Sequence, residues 1–273
     1  MTRAEGAQLS VVLVTDTFAT IRVVVDRLGG QTVQDQVEIV IVCGSAGELE
    51  ADPRTLKGFA AVRIVEVGSI NPMSAARAAG VHAATAPLVF LGETHSYPHP
   101  GFAAELIAAH REPWDVVVPG FDNANPKGAL SWAAFLMDYG YWLHHLPAGV
   151  ISSAPTWNVA YKRAALLDLG DGLGSALTGG DELATAFRAR GRTICFHPAA
   201  RIDHANVARR RSWVDERFLS GLLIGGNRRD RWTASRRWVH VLASPLIAAV
   251  VLSRIVRPAR VALRHGMLPW GTI

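Results

Sequence analysis

Two short groups of residues carry most of the chemistry this sequence can offer. Glu93-Thr94-His95 follows the apolar run PLVFLG, and Asp181-Glu182 follows Gly179-Gly180 at the head of ELATAFRARG. A carboxylate and an imidazole two residues apart can hold a divalent cation, and the imidazole tilts preference from Mg²⁺ toward Mn²⁺ or a later transition metal. An acidic pair at a helix start can supply a general base if burial offsets the helix dipole, which otherwise favours the anion and lowers basicity. Both groups also have a structural assignment: ordinary loop residues for the first, an N-cap and first-turn acid for the second. Asn123, Asn125, Trp132, Tyr139, Trp142, Trp157 and Asn158 suit carbohydrate, because flat apolar faces stack on sugar rings while amides bind hydroxyls. Trp132, Phe135 and Tyr139, at near-helical spacing, read more simply as packing.

The elements that position these residues follow from periodicity. Residues 9–14, 37–42, 62–67, 87–91 and 115–119 are short, β-branched-rich runs that read as strands, and residues 19–28, 73–84 and 102–110 between them have helical composition. Alternation of this kind predicts an α/β fold with a mostly parallel central sheet covered by helices. Ligands on such sheets bind beyond the carboxyl ends of strands. That rule selects Thr15 and Asp16, then Cys43, Gly44 and Ser45, then Gly92 through His95. Asp16 has an alternative role as a turn or helix cap. A Gly/Asn/Pro-rich loop follows Pro119, and beyond it NVAYKR, a helix ending at Gly191 and the short strand TICFHP form a second region.

In this order the pieces resemble the family 2 inverting glycosyltransferases of GT-A fold, from about Leu9 to about His204. SVVLVT, Gln31, EIVIVCGS and ARAAGVHAATAPLVFLGETHSYPHPGF resemble the nucleotide-binding half of that family; NVAYKR, GGDELATAFRARG and HPAARIDH resemble its acceptor half. The resemblance implies inverting transfer of a sugar from a nucleoside-diphosphate sugar to a hydroxyl acceptor. It places Thr15, Asp16, Cys43, Gly44, Ser45, Arg77 and Glu93 on the donor, and Asn123, Trp157 and Asn158 on the acceptor. His204 joins Glu93 and His95 as a metal or diphosphate contact, with Mn²⁺ or Mg²⁺ as the ion, and Asp181 or Glu182 becomes the base. Two departures stand out: Glu93-Thr94-His95 replaces the Asp-x-Asp motif of the family, and Cys43, a poor hydrogen-bonding group, stands where an Asp is common. These departures favour a second reading, a degenerate domain that binds a nucleotide sugar, glycan or protein partner without catalysis.

The 273 residues carry a net charge of +5, unevenly spread: from Arg201 onward 14 Arg face 4 Asp or Glu, leaving the rest of the chain acidic. The resemblance implies that residues 1–208 are the GT-A glycosyltransferase domain, and the charge sets off 209–273 as a basic, apolar helical appendage. Arg209–Arg211, Arg228, Arg229, Arg231, Arg236 and Arg237 precede the run WVHVLASPLIAAVVLSRIV, which contains His240 and Pro245 and has basic flanks on both sides. Basic tails suit nucleic acid or anionic lipid, and the apolar run favours lipid, with an interfacial or re-entrant helix pair preferred to a single span. A lipid-linked or cell-envelope glycan acceptor would suit such an enzyme. Two distant cysteines and an N-terminus without a leader-like apolar stretch predict a cytoplasmic protein resting on the inner face of the cell membrane.

Overall fold

A computed structural model of the chain describes residues 6–268, except for the side chains of residues 224, 227, 228, 230, 231, 248 and 251. The basic run therefore loses Arg228 and Arg231, which lie outside the described side chains. The chain opens with β1 (Leu9–Val14), α1 (Phe18–Gly29), β2 (Val37–Cys43), α2 (Ala46–Leu49), β3 (Ala61–Glu66) and α3 (Met73–Ala83). It continues through β4 (Leu88–Leu91), β5 (Ser96–Pro98), α4 (Phe102–Ala109), β6 (Val116–Asn123), α5 (Ala129–Asp138) and β7 (Gly149–Val150). Then come β8 (Val159–Lys162), α6 (Arg163–Leu167), α7 (Leu173–Ala176), α8 (Glu182–Ala189) and β9 (Ile194–His204). Helices α9 (Arg210–Arg231), α10 (Ala234–Ala243) and α11 (Ile247–Arg264) follow.

The strands form one sheet in the order β3-β2-β1-β4-β8-β6-β9-β5, with β7 pairing β9 off this path. The β3-β2-β1-β4 half is parallel, as the strand–helix alternation requires. Strand β8 then enters antiparallel to both β4 and β6, while β6 and β9 run parallel. Every residue of β1 and β2 is buried, which explains why both read as near-continuous apolar runs and not as alternations. Their two polar residues are paired. Ser10 donates to Glu38, whose carboxylate also accepts from Arg63 Nε at 2.6 Å and from the Thr85 amide and hydroxyl, each at 2.8 Å. Helix α3 lies flat on this half of the sheet because residue 80 is glycine: a Cβ there would run into Val12 and Val42.

Beyond β9 the chain is helical, and Pro245 lies in the 3₁₀ turn Ser244–Leu246 that separates α10 from α11. Among the described residues no helix is long and apolar enough to cross a membrane. Helix α11 packs against α5 and the 3₁₀ turn Gly140–Trp142, and Ala262 and Leu268 join the main core.

Candidate functional site

The strand ends converge on Glu93. Gly92 donates to Val12 of β1 at 3.0 Å, which sets the turn after β4 beside Thr15 and Asp16, and Thr15 in turn donates to Val42 of β2 at 2.9 Å. The same turn runs into β5, which pairs antiparallel with the end of β9 so that Ser96 faces His204, and Ala205 donates to the His95 carbonyl at 3.0 Å. Glu93, His95 and His204, three residues from two distant stretches of sequence, thus present ligand atoms all within 4.8 Å of one another. The His95 and His204 rings meet edge to face at 4.7 Å.

Glu93 is the hub. Its Oε2 accepts from Tyr139 Oη at 3.0 Å and from Asn158 Nδ2 at 2.6 Å, and lies 3.3 Å from His204 Nε2. Burial by itself raises the pKa of such a carboxyl. The His204 contact and the charges of His204, His95 and Arg77 outweigh it and hold Glu93 at about 2. Burial, with the charge of Glu93 adding, pushes the Tyr139 hydroxyl well above its ordinary value, so it stays a donor. His95 moves down: burial leads, the His204 charge adds to it and Glu93 opposes it. A neutral imidazole is the form that ligates a metal.

The tautomer of His204 follows from its surroundings. The Asn206 amide nitrogen donates to Asn123 Oδ1 at 3.0 Å and to the His204 carbonyl at 2.8 Å, which makes Asn206 Oδ1 an acceptor for His204 Nδ1 at 2.9 Å. The buried Nε2 is then the free position. It has no well-formed hydrogen bond, although it lies close to the Glu93 carboxylate. A lone pair facing an anion is stable only with a shared cation between them, a proton or a metal ion. Carboxylate, two imidazoles and a second layer of amides that orients one of them form a donor set that fits a divalent ion of the Mn²⁺ type.

Beside this cluster the Arg77 guanidinium lies 3.6 Å from the centre of the Trp157 ring, and no salt bridge holds it among the described residues. Arg77 is buried, and burial lowers its pKa against the opposing pull of Glu93, without depriving an arginine of its charge. Asn158 has a left-handed backbone at φ 58° and donates to the Leu91 carbonyl at 2.6 Å, which ties the Trp157-Asn158 corner to the end of β4. The Gly179–Gly180 loop closes over that corner: Thr156 Oγ1 donates to the Gly180 carbonyl at 3.0 Å, and a Cβ on Gly179 would touch Trp157 at 3.5 Å. Asp181 and Glu182 come next. The Asp181 side chain is 55% exposed, pairs with Arg188 at 2.8 Å and accepts from Thr185, while Glu182 is half-buried in the first turn of α8.

The remaining sequence candidates occupy the rest of the strand-end row. Asp16 immediately precedes Thr17, the N-cap residue of α1, and accepts from the Thr17 amide and the Thr20 hydroxyl, bonds that lower its pKa. The Thr15 hydroxyl donates to the Thr17 carbonyl, and Ser45 caps α2 through the Glu48 amide. Cys43 is fully enclosed, its thiol pushed up by burial and then by Glu66 and Glu48. Gly44 lies against the Gly68 backbone. Asn123 spends its amide on Ser131, Asn125 and Asn206. Sequence reasoning passed over Asn206 and named Tyr139 as a carbohydrate contact before reading it as packing; the contacts of both with the Glu93 cluster depend on packing between distant segments.

No known protein family and no curated relative matches the sequence. Solved structures do. TarS of S. aureus superposes with a TM-score of 0.52 at 17% identity over 73% of this chain and 37% of its own. A TarS fragment of residues 1–349 gives 0.51 at 15% identity over 73% and 60%, and its complex with UDP gives 0.51 at 17% over 81% and 65%. The chain has a GT-A-like glycosyltransferase fold. It spans less than two thirds of each of these proteins, so the likeness speaks for the fold alone.

Proposed function

We propose that the chain is an inverting glycosyltransferase that moves a sugar from a nucleoside-diphosphate sugar to a hydroxyl of a glycan or lipid-linked acceptor. The observation that carries this reading is the cluster of Glu93, His95 and His204 at the end of β4, with Arg77 stacked on Trp157 at its side. In direct displacement the diphosphate leaves as the acceptor oxygen attacks, so the site needs positive charge at one end and a proton acceptor at the other. Arg77 is a buried cation that no salt bridge holds among the described residues, suited to phosphate oxygens. Glu93, His95 and His204 would hold Mn²⁺ or Mg²⁺, which when bound neutralises charge on the departing diphosphate. Asp181 or Glu182, just beyond the glycines that face Trp157, would take the acceptor proton. Because the TarS fragment was solved with UDP, UDP is the first nucleotide to try.

Calorimetric titration of UDP, GDP and dTDP, each with and without Mn²⁺, tests the donor site in the wild type and in Glu93→Ala. Support is metal-dependent binding of one nucleotide that the variant loses. The absence of binding under every condition sinks the transferase reading. A second reading, a nucleotide-sugar or glycan-binding domain without catalysis, is favoured by one observation: the Asp181 carboxylate is already engaged by Arg188 and Thr185. Nucleotide binding without transfer, unchanged in Asp181→Asn and Glu182→Gln, would establish it.

A further inference from the structure

Large apolar side chains exposed before residue 209 are scattered, at Val23, Val62, Ile64, Tyr141 and Val150, whereas those exposed later crowd onto α9, α10 and α11. Helix α10 has no buried residue, and Trp238, Val241 and Leu242 are 66%, 58% and 77% exposed. On α11, Leu252, Val256 and Leu263 recur at i, i+4 and i+11, a single exposed stripe beside the face that packs on α5. Arg257, Arg260 and Arg264, at i, i+3 and i+7, form the next stripe, and all three are exposed. The sequence contains no acidic residue after Asp230. Between α11 and the turn at Gly140–Trp142 a cleft of about 380 Å³ opens, lined by Tyr141, Trp142, Leu146, Arg257, Pro258 and Val261. Apolar surface on this scale, bordered by arginine, marks a binding face on a water-soluble body.

We propose that α9, α10 and α11 form a docking surface for an anionic lipid bilayer. Apolar side chains on these helices enter the headgroup and upper acyl region, while arginines on the flanks reach phosphate oxygens with their stems along the apolar layer. The charge pattern decides against a second copy of the chain: a two-fold interface brings each patch onto itself and would set arginine against arginine. It decides against nucleic acid because the exposed Trp, Leu and Val side chains have no partner on a phosphate backbone. None of the described helices is long enough and apolar enough to span, so the contact lies in the membrane plane.

The docking face is joined to the donor site through one short segment. Arg217 of α9 pairs with both carboxylate oxygens of Asp138, at 2.8 and 2.5 Å, and Pro258 of α11 sits against Gly140. Tyr139, between them, donates to Glu93. A bilayer bound at α9–α11 therefore lies against the elements that brace the site, which suits an acceptor presented at a lipid surface. The docking itself does not depend on the transferase reading.

Flotation of the full chain with vesicles tests it. The wild type should float with phosphatidylcholine–phosphatidylglycerol vesicles about ten-fold more than with phosphatidylcholine alone, and salt should weaken the binding. Trp238→Asp combined with Leu242→Asp should lose flotation, and so should Arg257→Glu combined with Arg260→Glu and Arg264→Glu, with circular dichroism unchanged, since all five side chains are exposed. Equal flotation with both vesicle types, variants that float like the wild type, or a stable dimer that leaves vesicles unbound would each overturn the proposal. Retention on duplex DNA in place of anionic vesicles would do the same.

Discussion

The Asn158 side-chain amide donates to Glu93 Oε2 over 2.6 Å from a residue whose backbone is left-handed, at φ 58°. Two demands meet at that position: a donor for a buried carboxylate, and a conformation that asparagine tolerates better than most residues. Asn158→Ala fails both and should cost about 2 kcal/mol of stability as well as metal or nucleotide affinity. Asn158→Gly accepts the backbone but lacks the donor, so it should regain part of the stability and none of the affinity. Urea denaturation and Mn²⁺ titration of the two variants separate the demands, and wild-type Mn²⁺ affinity in Asn158→Gly would show that the hydrogen bond does not tune the site.

Metal binding at Glu93, His95 and His204 should weaken as pH falls, because protons compete with the metal for imidazole. Burial keeps His95 neutral at neutral pH, so the weakening should begin below the ordinary histidine range for that ligand. Glu93→Gln, His95→Ala and His204→Ala should each lower Mn²⁺ affinity steeply. Asn206→Ala, which removes the partner of His204 Nδ1, should lower it about ten-fold without touching a ligand. Electron paramagnetic resonance of free Mn²⁺ reads all four; an unchanged Asn206→Ala would show that the tautomer is set by something else.

The parallel half of the sheet was legible in the sequence because β1, β2 and β4 are buried on both faces and had to be written as near-continuous apolar runs. The position of Glu93 and His95 beyond a strand end was legible, and such positions are where ligands bind on sheets of this kind. What β8 does was not: the sequence places NVAYKR in the second region without a strand assignment, and its insertion antiparallel between β4 and β6 depends on pairings with residues some seventy and forty positions earlier. The same holds for Tyr139, whose helical spacing marks it as packing and whose ring does stack on Phe121 at 4.2 Å, while its hydroxyl belongs to Glu93. Periodicity describes the face a side chain occupies and carries no information about what its far atom meets.

Acid should unfold the wild type through a component that Glu93→Gln lacks. The Glu93 pKa falls from an unfolded value near 4.5 to about 2 in the folded state, so the folded protein binds fewer protons there. Its stabilising contribution is complete above the unfolded value and is lost as pH drops from there toward the folded one, a window worth roughly 3 kcal/mol at most. Glu38, lowered by its bonds from Ser10, Thr85 and Arg63 against the effect of burial, adds a slope of the same sign that the variant keeps. Urea midpoints at neutral pH and at two acid points should therefore converge for wild type and variant as pH falls. Parallel curves would mean that Glu93 is not ionised in the folded protein without metal.

Arg77→Lys retains charge but not the flat guanidinium that lies over Trp157 at 3.6 Å. If that group reads the diphosphate, the variant should lose about ten-fold in affinity for a nucleoside diphosphate and little for the nucleoside alone. Equal losses for both ligands would place Arg77 in the support of Trp157 and not on phosphate.

Gly140→Ala tests whether the C-terminal helices and the site are one mechanical unit. A Cβ at residue 140 would lie 2.7 Å from Pro258 Cβ and 2.9 Å from its Cγ, and a proline ring inside a helix cannot rotate away, so α11 must shift as a body. Overpacking of this kind costs about 1–3 kcal/mol. Because residue 140 follows Tyr139 directly, the strain should also reach the Tyr139 hydroxyl and loosen its bond to Glu93, so Mn²⁺ affinity should fall together with thermal stability. Ser253→Ala, an exposed change on the same helix, is the control and should leave both unaltered. If Gly140→Ala lowers the melting temperature while Mn²⁺ binding stays at the wild-type level, α11 is anchored at this turn without bracing the proposed donor site, and any effect of a bound bilayer on that site must reach Glu93 by way of Arg217 and Asp138.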